Sequence, residues 1–166
     1  MSYACATSVG FKVVTKPPKD ACVVKGKWRA ELFDEFGTLK QSVDGFNVVC
    51  TNGKEFLASF LNSAVAAAAT FTMRYVAVGS GTAAEAAANT ALGDELSRHT
   101  GTVSYLSGAI YQIVATFATG SGTGAISEYG LFSSSTGGTI LSRDVEIVNN
   151  KGASDTLKVT AQITFS

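Results

Sequence analysis

Charge is scarce in this chain, and so are the residues most often used to move protons or hold metals. Only 16% of its 166 residues are charged while 46% are hydrophobic, and the formal net charge is zero. A small free-standing domain ordinarily covers itself with more charge than this. Part of the surface is therefore expected to be covered by partners. The zero balance lacks the basic excess that phosphate neutralisation needs, which argues against nucleic acid as the main ligand. The single histidine, His99, excludes a multi-histidine metal site and stands without a nucleophile elbow, so a surface or loop position is expected for it. Cys5, Cys22 and Cys50 are widely spaced, with no Cys-x-x-Cys pair, and read as small buried or incidental thiols. No apolar run spans a bilayer, since Ala64 to Ala69 is too short, and no membrane partner is expected. The opening MSYACATSVGFK lacks a charged region followed by an apolar core, so a chain made in a cytoplasm is expected.

What is present is mainly β-patterned. Leu157, Val159, Ala161, Ile163 and Phe165 alternate with Lys158, Thr160, Gln162 and Thr164, the period-two signature of a half-buried strand. Trp28, Ala30 and Leu32 alternate with Lys27, Arg29 and Glu31, and Asp34-Glu35-Phe36-Gly37 turns the chain into Thr38 to Val43, a hairpin. Further strands are expected at Phe71 to Val78, Val103 to Leu106, Ala109 to Ala118, Ala125 to Phe132 and Thr139 to Val148. Lys54 to Ala69 is the strongest helical stripe, carrying Phe56, Leu57, Phe60, Leu61, Ala64, Val65 and Ala68, with Thr51 or Asn52 available as its cap. Within Ala83 to Arg98, Thr90 can cap a second, short helix bearing Leu92 and Leu96, weakened by Gly93. Residues 1 to 22 contain Pro17-Pro18 and read as an extended arm; the lysines from Lys12 to Lys27, diluted by Asp20, read as solvated. The expected architecture is a mainly β chain: a β-sandwich or jelly-roll-like antiparallel domain over residues 23 to 166, with one amphipathic helix and the N-terminal arm. Within that domain, residues 23 to 70 form a hairpin plus helix and 71 to 166 the sandwich portion.

Each motif that suggests chemistry has a plainer reading. Gly79-Ser-Gly81-Thr-Ala83-Ala84 formally matches a G-x-G-x-x-A dinucleotide fingerprint after a strand, but the βαβ setting is missing. The Gly120 to Gly124 loop reads as a hairpin tip. The acid pairs Asp34/Glu35 and Asp94/Glu95 point apart along their elements and mark a turn and a helix end. Glu128 stands out inside the apolar AISEYGLF, where a buried carboxylate needs a partner, and Arg143 or Arg98 can supply it as a structural ion pair. Tyr105, Tyr111, Phe117, Tyr129 and Phe132 could stack on bases or sugars, yet at alternating strand positions they read as core and interface residues. No catalytic, cofactor-binding or metal-binding residue is assigned, and a non-enzymatic protein is expected.

The segments VAVGSGTAAEAAANTALGDELSR, GAISEYGLFSSSTGGTILSRDV and NKGASDTLKVTAQITF, preceded by GKWRAELFDEFGTLKQSVDGFNVVCTNGKEFLASFL, together resemble structural proteins of tailed bacteriophages, including capsid decoration (cement) proteins and tail-fibre attachment regions. The resemblance covers roughly residues 26 to 166. It implies a virion component on the capsid surface, with the major capsid protein as partner, self-association as a homotrimer, and no catalytic residue to carry over. A tail or baseplate-fibre connector is the alternative it leaves open. Phe11, Val13, Val14 and Pro17 on the arm are the expected interface residues.

Overall fold

The computed structural model describes residues 23–61, 73–106 and 109–166, with the side chains at 59–61 and 105 outside that description. Among the described residues, ten strands form two five-stranded antiparallel sheets packed as a sandwich. The first sheet has the order β2-β1-β10-β7-β6, built from β2 (Leu39–Gly45), β1 (Val24–Phe33), β10 (Thr156–Phe165), β7 (Ile110–Phe117) and β6 (Thr102–Leu106). The second has the order β3-β9-β8-β4-β5, built from β3 (Val48–Val49), β9 (Ile140–Lys151), β8 (Gly124–Phe132), β4 (Tyr75–Gly79) and β5 (Glu95–Thr100).

The period-two segments produce the longest ladder. β1 and β10 pair over ten residues, from Val24↔Phe165 to Phe33↔Thr156. Trp28, Ala30 and Leu32 from one strand and Leu157, Val159, Ala161 and Ile163 from the other are almost completely buried, as the alternation predicts. Each fully buried aliphatic side chain contributes about 1.5 to 3 kcal/mol of transfer free energy, so this inward stripe is a main source of the fold's stability. Facing it from the second sheet are Val76, Val78, Ile126, Tyr129 and Leu131. The hairpin expected over residues 23 to 43 is therefore integral to the sandwich, because β1 lies between β2 and β10. Its turn uses Gly37 at φ +81°, a conformation in which a Cβ is strained.

Two strand pairs carry the chain from one sheet to the other at opposite sides. β2 leads through Gly45-Phe46-Asn47 into β3, and β5 leads through Gly101 into β6. Both corners need glycine: a Cβ at Gly101 would sit 2.4 Å from Ile113 Cγ1, and one at Gly45 would sit 2.3 Å from Asp144 Oδ2. Switching sheets at such a bend is the usual way a sandwich turns a corner.

The helix, α1 (Thr51–Leu61), closes one end of the sandwich, with Phe56 and Leu57 packed on the core. Its stripe was expected to continue to Ala69, and residues 62–69 lie outside the described residues, as do residues 71 and 72 of the strand expected at Phe71 to Val78. Neither Thr51 nor Asn52 caps it. Cys50 does, its carbonyl accepting the Lys54 amide at 3.1 Å. Gly53 brings the helix backbone against β9, where a Cβ would lie 2.6 Å from Leu141 Cα.

Three expectations are corrected. The second short helix does not form: 80–94 is an irregular loop and Glu95 starts β5. Leu92 is buried with Phe132 and Ile140, whereas Leu96 is 40% exposed, so the two leucines share no face. The pair Asp94/Glu95 accordingly marks the start of a strand. The Gly120 to Gly124 loop is no hairpin tip, because β7 and β8 belong to different sheets. It is a crossover, tied down where Lys151 Nζ donates to the Ala118 carbonyl at 3.1 Å and the Gly120 amide donates to Ala153 at 2.8 Å. His99 lies on β5 with its ring 4.8 Å from that of Phe117 and Nε2 2.7 Å from Ser121 Oγ, which gives it a structural place between sheet and crossover.

Candidate functional site

The middle strands of the second sheet, β8 and β4, are buried on both faces, and each face of the sheet holds a buried carboxylate. On the outer face, beneath the 80–94 loop, lies Glu128, which is fully buried. Gly81 N and Asp94 N donate to its Oε1 at 3.0 and 2.7 Å, and Gly93 N donates to Oε2 at 2.9 Å. Arg143, across the β8/β9 ladder and two residues out of register, adds Nε and Nη2 to Oε2 at 3.0 and 2.8 Å. Arg143 in turn donates to Asn89 Oδ1 at 3.2 Å, which ties the loop to the pair. Burial by itself would push the Glu128 carboxyl up, but the amides of Asp94 and Gly93, the guanidinium and the Gly81 amide outweigh it and hold the group below the usual range.

This arrangement explains the glycines of the G-x-G-x-x-A segment. A Cβ at Gly79 or at Gly81 would stand 2.5 Å from Glu128 Oε1. The amide that a phosphate would require already serves the protein's own carboxylate. The loop is an internal anion cradle, and Glu128–Arg143 is the structural ion pair expected from the sequence. Arg98, the other candidate partner, makes a fork to Glu95 at 2.9 and 2.6 Å, donates to the carbonyls of Ser134 and Gly137, and lies 3.6 Å over the Phe132 ring.

The exposed face of the first sheet forms a shallow depression of about 400 Å³ lined by Lys27, Arg29, Asp44, Gln112, Lys158 and Gln162 among others. Its charges answer one another across strands. Arg29 forks onto Asp44 at 2.9 and 3.0 Å, and Lys158 reaches Glu31 at 3.2 Å. Gln162 donates to Gln112 at 2.8 Å. Exposed pairs of this kind contribute little and leave a solvated face.

The sandwich side bounded by β2 and β9 is different. β2 ends the first sheet, and β3 covers β9 only at Arg143 and Ser142, so 144–151 have no ladder partner on that side among the described residues. Between Val145 and Asn149, β9 bulges against β8, and the bulge carries Ile147, 71% exposed, and Val148. Phe46 on the β2–β3 corner is 80% exposed and Phe36 on the hairpin turn 85%, with Leu39 exposed at the start of β2. Among the described residues, exposed apolar side chains therefore accompany two strand edges without ladder partners on one side, with Gln41 Nε2 donating across to the Val148 carbonyl at 3.1 Å.

Of the aromatic residues weighed as a stacking platform, Phe117, Tyr129 and Phe132 are buried, while Tyr111 is partly buried with its hydroxyl on the Met73 carbonyl; the Tyr105 side chain is outside the description. Cys50 is fully buried, and burial raises its thiol above the ordinary range, while Cys5 and Cys22 lie outside the described residues. The expected interface residues Phe11, Val13, Val14 and Pro17 also lie outside them. Among the described residues no three His, Cys, Asp or Glu side chains converge as a metal cluster, and no helix is long and apolar enough to cross a membrane. No family model matches the chain, no curated protein matches it, and no solved structure matches its fold.

Proposed function

We propose that this chain is a non-enzymatic structural protein of a tailed-bacteriophage virion, a decoration or cement protein. On this reading it sits on the capsid surface as a homotrimer and clamps neighbouring major capsid protein subunits. The observation that carries the reading is the β2/β9 side. Two open strand edges beside exposed Phe36, Leu39, Phe46 and Ile147 offer main-chain and apolar contacts at once, in a protein with little charge to repel a neighbour. The resemblance of residues 26 to 166 to phage structural proteins supplies the choice of partner.

Separating purified virions into heads and tails and seeking peptides of this chain in each fraction tests the proposal. Recovery with heads is expected. Recovery with tails replaces it by the connector reading, and absence from both fractions defeats it. On heads, deletion of residues 1 to 20 is expected to lower occupancy while leaving the sandwich folded; unchanged occupancy would remove the arm from the interface.

A further inference from the structure

The inner face of the second sheet carries a polar group that the proposed function does not use. Asp144 on β9 lies opposite Tyr129 in the ladder, faces the first sheet, and is 1% exposed. Among the described residues, neither of its carboxylate oxygens has a hydrogen-bond partner.

Oxygen atoms gather around it. A Cβ at Gly45 would be 2.3 Å from Asp144 Oδ2 and 2.5 Å from Glu146 Oε1, so both carboxylates converge on one point in front of that glycine. Ser142, on the same face of β9 and fully buried, has an unpartnered hydroxyl. Asn47, two residues past Gly45, lies against Gly26 with its whole amide unpartnered. Asn149 is fully buried, and although its Nδ2 donates to Tyr129 OH at 2.7 Å, its Oδ1 has no partner. Buried polar atoms are nearly always satisfied, and these orphans, on β9 and the β2–β3 corner, lack partners among the described residues and point to a missing component.

We infer that the seam between β2 and β9 is a binding site for a hard divalent cation of the calcium class, held by Asp144 and Glu146 with neutral oxygens of neighbouring side chains completing its shell. The donors are oxygens throughout, which disfavours zinc and its preference for nitrogen and sulfur. Calcium accepts six to eight oxygens in irregular geometry, mixing carboxylates, amide carbonyls and water, whereas magnesium demands a regular octahedron. The positive charge would answer two acids that otherwise oppose each other, one buried and one half-buried. It would also join β9 to the Gly45 corner, across the two sheets.

Trp28, the single tryptophan, supplies the readout: it pairs with Gly45 in the β1/β2 ladder and its ring centroid is 6.1 Å from that of Tyr129. The full chain, stripped with chelator, is titrated with terbium while exciting Trp28. Sensitised emission that calcium displaces is expected, with affinity at least tenfold weaker in Asp144→Asn and Glu146→Gln. Calcium should also raise the melting temperature of the unmodified protein over that in chelator. No sensitised emission, or emission equal in the two variants, overturns the site. If the variants do not fold, a melting temperature of the unmodified protein that is indifferent to calcium overturns it alone.

Discussion

Glu128 and Asp144 are buried carboxylates on neighbouring strands of one sheet, on opposite faces, and their surroundings differ in every respect. Glu128 has three backbone amides and a guanidinium within hydrogen-bond distance. Asp144 has an acid beside it and no full hydrogen bond. The outer face was closed by a loop free to bend its amides toward an anion, which regular strands cannot do, since their amides are committed to the ladder. The inner face meets another sheet, whose strands offer side chains alone. Among the described residues, a carboxylate between the two sheets is thereby left without a hydrogen-bond partner.

Breaking the satisfied site should have the largest effect. Arg143→Ala leaves Glu128 buried without its counter-ion, and a loss of about 3 to 5 kcal/mol in denaturant unfolding is expected, the cost of stranding one member of a buried pair. A loss below about 1 kcal/mol would mean that the three amides suffice. The two sites should also respond to pH in opposite senses. Glu128 is held below its ordinary value, so its contribution is present at neutral pH and fades as pH falls through the acid range below about 4.5. Asp144 is raised from 3.8 to about 7, so in metal-free buffer the folded state holds a proton that the unfolded state releases. Stability should therefore fall as pH rises between about 4 and 7, with a slope of at most about 1.4 kcal/mol per pH unit. Urea midpoints across that window should show the slope in the parent and its loss in Asp144→Asn. The smallest effect belongs to the solvated face: Arg29→Ala removes the exposed pair with Asp44 and is expected to leave the urea midpoint nearly unchanged, the more so in high salt.

The sequence made the strands of the first sheet legible, because β1 and β10 have one wet and one dry face and alternate accordingly. The Glu128–Arg143 pair was legible too, as an acid and a base amid apolar strands. The 80–94 loop was not. TALGDELSR spaces Leu92 and Leu96 four apart, which satisfies a helical stripe, but the amides of Gly93 and Asp94 are drawn to Glu128, a tertiary demand with no local trace. Asp144 and Glu146 form a D-x-E pair, which places both side chains on one face of a regular strand. That spacing was available as a signal. Their burial was not, since it depends on the Gly45 corner folding over them, and β9 runs on to Lys151, past the expected end at Val148. Lys151 itself, buried with its ammonium on the Asp155 and Ala118 carbonyls, gives no sign in the sequence of being anything but a surface lysine.

The glycine corners have a mechanical meaning. Because the β2–β3 and β5–β6 segments each belong to both sheets, the layers are strapped together along two opposite sides rather than merely stuck face to face. A load pulling one sheet from the other is therefore carried along strapped strands, where ladder hydrogen bonds resist together instead of opening one after another. A neighbour bound to either layer would then pull on the whole sandwich.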